Sequence, residues 1–337
     1  MPRASPRSRS KSPGSRGKSP IRSGLDISYR QLMDIMHSRS GRDVPGTVTN
    51  STTAVHGIIG KVEQAFPGAL PSHRMAKQAS KLLEKHGYND TNTLLTTSLS
   101  SDEVNRDIED EMRQHFGNAY AIGGLAGFAF GGVVGFGNMA HHIPNGGHGL
   151  VFYGPHVGID FDMTVGKVNR PGQKESSECC GPALAALEYC RRVKAGEVGE
   201  IGTPEDITES QYTWICHELL PMTDRILKED GEEAQRIQLT TSLYDAQDAM
   251  MGRILAKAKD QIREDTKIAF LGGITINTPE GSAEYFLPKK FVVMDNKGTV
   301  LADLLGELLA VKAIVPSRKS KLMGGNPGGV FGHRTYG

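Results

Sequence analysis

Residues 93–117, TLLTTSLSSDEVNRDIEDEMRQHFG, join a short apolar, Thr-rich run directly to an acid-headed segment that ends in glycine. Leu94 to Ser101 reads as a strand, being short, apolar at its start and rich in Thr. Ser101 is a fitting N-cap for the segment that follows. Acids fill its first turn, where the helix dipole favours them, and Gly117 suits its stop. A strand that feeds straight into a helix opens an α/β unit.

Working outward, the next stretch is dense in glycine. Fifteen of the 41 glycines lie between Gly117 and Gly172, interleaved with apolar and aromatic residues. Such density predicts tight turns and close backbone approach. LVFYG (150–154) reads as a buried strand, and Cys180 to Lys194 as a helix with Pro182 near its start. Gln211–Lys228 and Ala246–Arg263 are expected to be helical, the first kinked at Pro221; Lys267–Asn277 and Phe291–Asp295 read as strands. Before the opening unit, residues 61–87 read as helix, turn, helix, with residues 39–58 as a polar linker and Asp26–Ser38 as a short amphipathic helix.

The fold class implied is α/β, a central sheet flanked by helices with a helical N-terminal extension. The expected boundaries are a disordered Ser/Arg-rich tail over 1–24, a helical region over 25–90, the main domain over 91–316 and a basic, Gly-rich tail over 317–337. Residues 1–23 carry seven Arg or Lys, seven Ser, four Pro and no acid, which cannot build a core. That composition fits a solvated tail, a transit peptide or an RNA-binding arm. A net charge of +1 gives no bulk field for nucleic acid, and no apolar run is long enough to span a membrane. Cys179, Cys180, Cys190 and Cys216 form no secreted disulfide framework, which points to a reducing compartment.

Four chemistries are open. Zinc needs tetrahedral Cys, His or carboxylate ligands, and His141, His142, His148, His156, Cys179, Cys180, Asp102, Asp160 and Asp162 gather in or near the glycine band. None has C-x-x-C or H-E-x-x-H spacing, and a His-His pair in a glycine loop is commonly just surface. Asp102 and Arg106, four apart, make either an exposed helical ion pair or an acid held ionised and aimed into a cleft. GFGNMA (135–140) matches the weak dinucleotide fingerprint, but Pro144 cuts short the helix it needs. Cys180, at a helix N-terminus where a thiol pKa falls, is a nucleophile with His142 or His156 as base, a metal ligand, or plain core.

GGLAGFAFGGVVGFGNMAHHIPNGG, LVFYGPHVGID, VGKVNRPG and CCGPALAA, with FPGAL and GYNDTNTLL before them, together resemble the limiting-CO2-inducible B/C family of algae over roughly residues 55 to 315. The resemblance implies a β-carbonic-anhydrase-like fold, a homodimer or a hetero-oligomer with a paralogue, and interconversion of CO2 and bicarbonate in photosynthetic cells. Chloroplast and cytoplasm are the compartments it suggests. It implies Zn2+ held by two cysteines and a histidine, with an Asp-Arg dyad gating the metal-bound water. Carried onto this chain, the ligands are His142 and Cys180, with His141 as the alternative histidine. The dyad is Asp102 with Arg106, and Phe128, Phe130 and Phe136 line an apolar CO2 pocket. The first cysteine ligand falls at Ser100. Zinc works by lowering the pKa of bound water to about 7, and a neutral hydroxyl is a poor ligand for it. The expectation is therefore a weakened or empty metal site, with carbonic anhydrase activity and a non-catalytic oligomeric role both open.

Overall fold

The computed structural model describes residues 48–310 apart from 204, 206 and 207. The tails expected over 1–24 and 317–337 and the helix expected over 26–38 lie outside the described residues. The first helix, α1, runs from Val48 to Ala65 and takes in much of the segment expected to be a linker. Its Thr, Val and Gly content gives poor intrinsic helix propensity. Burial of Ile58, Val62 and Phe66 against the main core overrides that weakness.

The expected strand over 94–101 is β2 (Thr93–Ser98), after the short β1 (Leu70–Pro71) and α2 (Ser72–Glu84). A 3-10 turn, Glu103–Asn105, then leads into α3 (Arg106–Phe116), so the helix begins four residues later than its N-cap signal suggests. There follow β3 (Ala119–Ala121), α4 (Gly132–His142), β4 (His148–Tyr153), β5 (His156–Gly158), β6 (Lys167–Val168), β7 (Ser177–Glu178) and α5 (Gly181–Lys194). Helices α6 (Ser210–Leu219), α7 (Thr223–Leu227) and α8 (Glu232–Ala258) precede β8 (Ile268–Asn277), β9 (Tyr285–Met294), β10 (Val300–Asp303) and α9 (Leu305–Ala310). The kink foreseen at Pro221 separates α6 from α7 as a 3-10 turn. Helix α8 starts 14 residues earlier than expected, at Glu232. Within it the hydroxyls of Thr240 and Thr241 donate back to the carbonyls of Arg236 and Ile237, which accommodates two β-branched residues mid-helix.

The main sheet runs β1-β9-β8-β4-β2-β3, with β10 on β9 and β5 on β8. Strands β3, β2, β4, β5 and β8 are parallel, whereas β9 turns back antiparallel on β8. Every residue of β4 and β8 is buried, as befits parallel strands covered on both faces. Leu95, Leu150, Phe152 and Leu271 face α2 and α3, meeting Met75, Leu82, Ile108 and Met112. Val151, Tyr153 and Phe270 face the other way, toward Ile58, Phe136, Met139 and Ile254 of α1, α4 and α8. A third cluster joins α5, α6 and α8 through Ala183, Cys190, Ile215, Cys216 and Leu243.

Two glycines of the dense band are sterically obligatory. A Cβ at Gly154 would stand 1.7 Å from the Gly273 carbonyl oxygen, and one at Gly158 2.2 Å from that of Lys167. Gly154 lies where β4 hands over to β5 and lets the backbone press against β8, while Gly158 ends β5 and lets it press against β6.

Candidate functional site

The parallel strands all end on one edge of the sheet, where open α/β folds bind ligands. That edge carries Ser100 and Asp102 just past β2, His156 at the start of β5, and Asn277 at the end of β8. The loop between β6 and β7 adds Arg170, and the turn before α5 adds Cys179 and Cys180.

Asp102 is N-cap of the 3-10 turn, with extended backbone and its carboxylate accepting from the Val104 amide. Its two oxygens take the Arg170 guanidinium in a bidentate fork, Nη1 to Oδ1 at 2.8 Å and Nη2 to Oδ2 at 2.9 Å. Arg170 also bonds Glu103, and its Nε donates to the Ser177 hydroxyl. Burial pushes the Asp102 carboxyl up, but the Arg170 fork overcomes it and holds the group at about 2.

The structure pairs Asp102 with Arg170 and not with Arg106. Arg106 pairs with Glu109 and donates to the Ser100 carbonyl. The physical reason is that an i, i+4 pair needs both residues on one helix. Asp102 stands before α3 in extended conformation, while Arg106 opens it and turns to the next acid along.

His142 is likewise displaced from its expected place. It and His141 are exposed at the C-terminus of α4, and the His142 ring packs edge-on against Tyr120 at 5.4 Å. The histidine that meets the acid is His156, whose Nε2 lies 4.0 Å from Asp102 Oδ2 and has no hydrogen-bond partner although fully buried. On its other side Nδ1 is 2.9 Å from Asn277 Oδ1 and 3.4 Å from Cys179 Sγ. Burial lowers the His156 pKa, against the opposing pull of the Asn277 hydrogen bond and the Asp102 charge.

Cys180 is buried in the left-handed conformation (φ 61°, ψ 54°) and packs in one apolar cluster with Phe128. Burial pushes its thiol up to about 12, opposite to the lowering expected at a helix N-terminus. Cys179 is also buried, with its thiol raised well above the ordinary value by the same cause. A cavity of about 10 Å³, the size of one water, is lined by His156, Val157, Cys179, Cys180, Leu239 and Leu243. None of the three phenylalanines expected to form a pocket lines it. Phe128 and Phe130 instead build an aromatic group with Trp214, at ring distances of 5.0 and 5.5 Å, and Phe136 belongs to the core under α4.

The donors do not make a zinc centre as they stand. Among the described residues, no three His, Cys, Asp or Glu side chains converge in a metal-holding group. Tetrahedral ligands on 2.0–2.1 Å bonds sit about 3.3 Å apart, closer than the 4.0 Å between His156 Nε2 and Asp102. Asp102 is committed to Arg170 by both oxygens, and the buried Ser100 hydroxyl stands where the family resemblance implies a thiolate. Cys179 cannot substitute, because it lies on the Nδ1 side of the imidazole while Nε2 points the other way.

Among the described residues no helix is long and apolar enough to cross a membrane. No curated protein gives a significant sequence match. The family described as limiting CO2-inducible proteins B/C, β-carbonic anhydrases, matches residues 69–295. Among solved structures, PtLCIB4, a homologue of the limiting CO2-inducible protein LCIB, is 36% identical, covering 73% of this chain and all of that one at a TM-score of 0.69. A single-substitution variant of PtLCIB4 is 35% identical over 73% of this chain and 98% of that one, with a TM-score of 0.68. LCIB itself, 20% identical over 71% of this chain and 96% of that one at a TM-score of 0.52, shares the fold. The match spans most of the described residues, and with the parallel sheet and the site at its edge it places this chain in the limiting CO2-inducible B/C family of β-carbonic anhydrases.

Proposed function

We propose that this chain is a non-catalytic member of the family, a carbonic-anhydrase fold that serves inorganic-carbon metabolism as an oligomeric partner or scaffold. The observation that carries this reading is Ser100, a buried hydroxyl where the family resemblance implies a thiolate ligand. The Asp102–Arg170 ion pair secures the loop over 159–178 to the end of β2 and makes the site a structural joint. The partner is a second copy of the chain or a paralogue.

One observation favours a second reading, zinc-dependent interconversion of CO2 and bicarbonate. His156 Nε2 is buried without a partner, faces Asp102, and shares its cavity with Cys180. A metal would draw on His156 and Cys180, with Asp102 held by Arg170 beside them.

Metal analysis of the purified protein, a stopped-flow indicator assay of CO2 hydration, and light scattering of the same sample decide between them. The first reading expects a metal-free oligomer with no rate above buffer, and expects Ser100→Cys to take up zinc. Stoichiometric zinc and a hydration rate in the native protein would overturn it.

A further inference from the structure

The polar groups behind His156 form a chain in which the Val104 carbonyl fixes the orientation of the Asn277 amide. Asn277, 1% exposed, places its Nδ2 at 2.9 Å from two oxygens, the Val104 carbonyl and Glu284 Oε1. A carbonyl can only accept a hydrogen bond, so the amide nitrogen must be the atom on that side. Its oxygen is then fixed on the opposite side, 2.9 Å from His156 Nδ1. An amide oxygen also only accepts, so Nδ1 must carry the hydrogen. A neutral ring with hydrogen on Nδ1 has its lone pair on Nε2.

We infer that Asn277, itself held by Val104 and Glu284, is a positioning residue that locks His156 in the Nδ1–H tautomer. Nε2 is thereby an electron-pair donor aimed at Asp102. The reverse tautomer would set two lone pairs against each other across 2.9 Å at a buried site, where an unmade hydrogen bond is costly. Cys179 completes the enclosure, with its thiol 3.4 Å from Nδ1 and 3.8 Å from Asn277 Oδ1.

A consequence follows for what the site accepts. Nε2 and Asp102 Oδ2 are both acceptors, 4.0 Å apart. The chemistry that satisfies them together is a small molecule with two hydrogens to give, such as water, whose two bonds of about 2.8 Å span that separation. This inference does not depend on whether the protein hydrates CO2, because the lock is made entirely of groups on the far side of the ring.

The test is side-chain 15N NMR of the full chain with labelled histidine, the His156 signals being assigned by their loss in His156→Gln. The expected spectrum of the native protein at neutral pH has a protonated Nδ1 and an unprotonated Nε2, with the locked tautomer in more than about tenfold excess. Asn277→Ala is expected to reduce that excess to a mixture of tautomers. Glu284→Gln, which can still offer an amide oxygen to Asn277, is expected to preserve it. A native spectrum with the hydrogen on Nε2, or with both tautomers evenly populated, overturns the inference without any variant. So does a folded Asn277→Ala protein in which the excess is unchanged.

Discussion

Replacing Arg170 by Met removes the fork from Asp102 while keeping much of the side-chain bulk. The carboxyl then loses the fork that outweighs burial and keeps only the smaller help of His156 and Glu103, so its pKa rises from about 2 toward and past the unfolded value near 3.8. The sign follows directly. In the native protein Asp102 has a depressed pKa, so it contributes stability that is fully present above about pH 4 and lost as pH falls through about 2. At 1.36 kcal/mol per pKa unit the gap is worth roughly 2.5 kcal/mol at most, and solvent access to the pair trims it to about 1–2. In the variant the charged carboxylate is itself a burden at neutral pH, relieved when it protonates. Arg170→Met is therefore expected to cost about 2–4 kcal/mol at pH 7.5 and clearly less at pH 4, read as the shift in urea midpoint at each pH. Adding Asp102→Asn should recover part of the loss at pH 7.5, since no unpaired charge remains. An equal loss at both pH values, or no recovery in the double variant, would refute the reasoning.

Arg106→Ala takes a half-exposed guanidinium away from the buried Glu109 carboxylate and the Ser100 carbonyl, and should cost about 1–3 kcal/mol in urea unfolding. Gly154→Ala drives a methyl into the Gly273 carbonyl at 1.7 Å, and is expected to abolish soluble folded protein or lower the thermal midpoint sharply. Phe128→Ala empties the centre of the aromatic group with Phe130 and Trp214. It should cost about 3–5 kcal/mol in denaturant unfolding, with loss of the single Trp214 fluorescence signature of the folded state.

The fold was legible wherever local pattern and tertiary demand agree. The run at 94–98, LVFYG and KIAFLGGITIN are apolar, bounded and short, and each is a buried parallel strand. Agreement failed where packing supplies what propensity lacks. Helix α1 begins inside a segment rich in Thr and Gly, and no period read along the chain reveals that Ile58 and Val62 are covered. Strand β9 runs ten residues rather than the five expected, since Pro288 and two lysines interrupt its apolar pattern; a register shift opposite, at Gly272 and Gly273, absorbs the interruption.

The site was less legible, and for a different reason. Zinc chemistry draws the eye to the paired His141 and His142, yet the same Pro144 that weakens the dinucleotide motif ends α4 and leaves both rings at an exposed helix terminus. His156 stands among several histidine candidates in the sequence, with nothing local to rank it above His142. What selects it is Gly154, whose missing side chain lets β5 lie along β8 and brings the ring to Asn277, 121 residues away. Arg170 reaches Asp102 across 68 residues through a loop whose path only the β6–β7 pairing defines. The one useful local signal was Asp102 itself, an acid placed just beyond a parallel strand. An acid there needs a cation, and an arginine at its i+4 position looks sufficient. A 3-10 turn instead of an immediate α-helix changes which arginine that acid can reach.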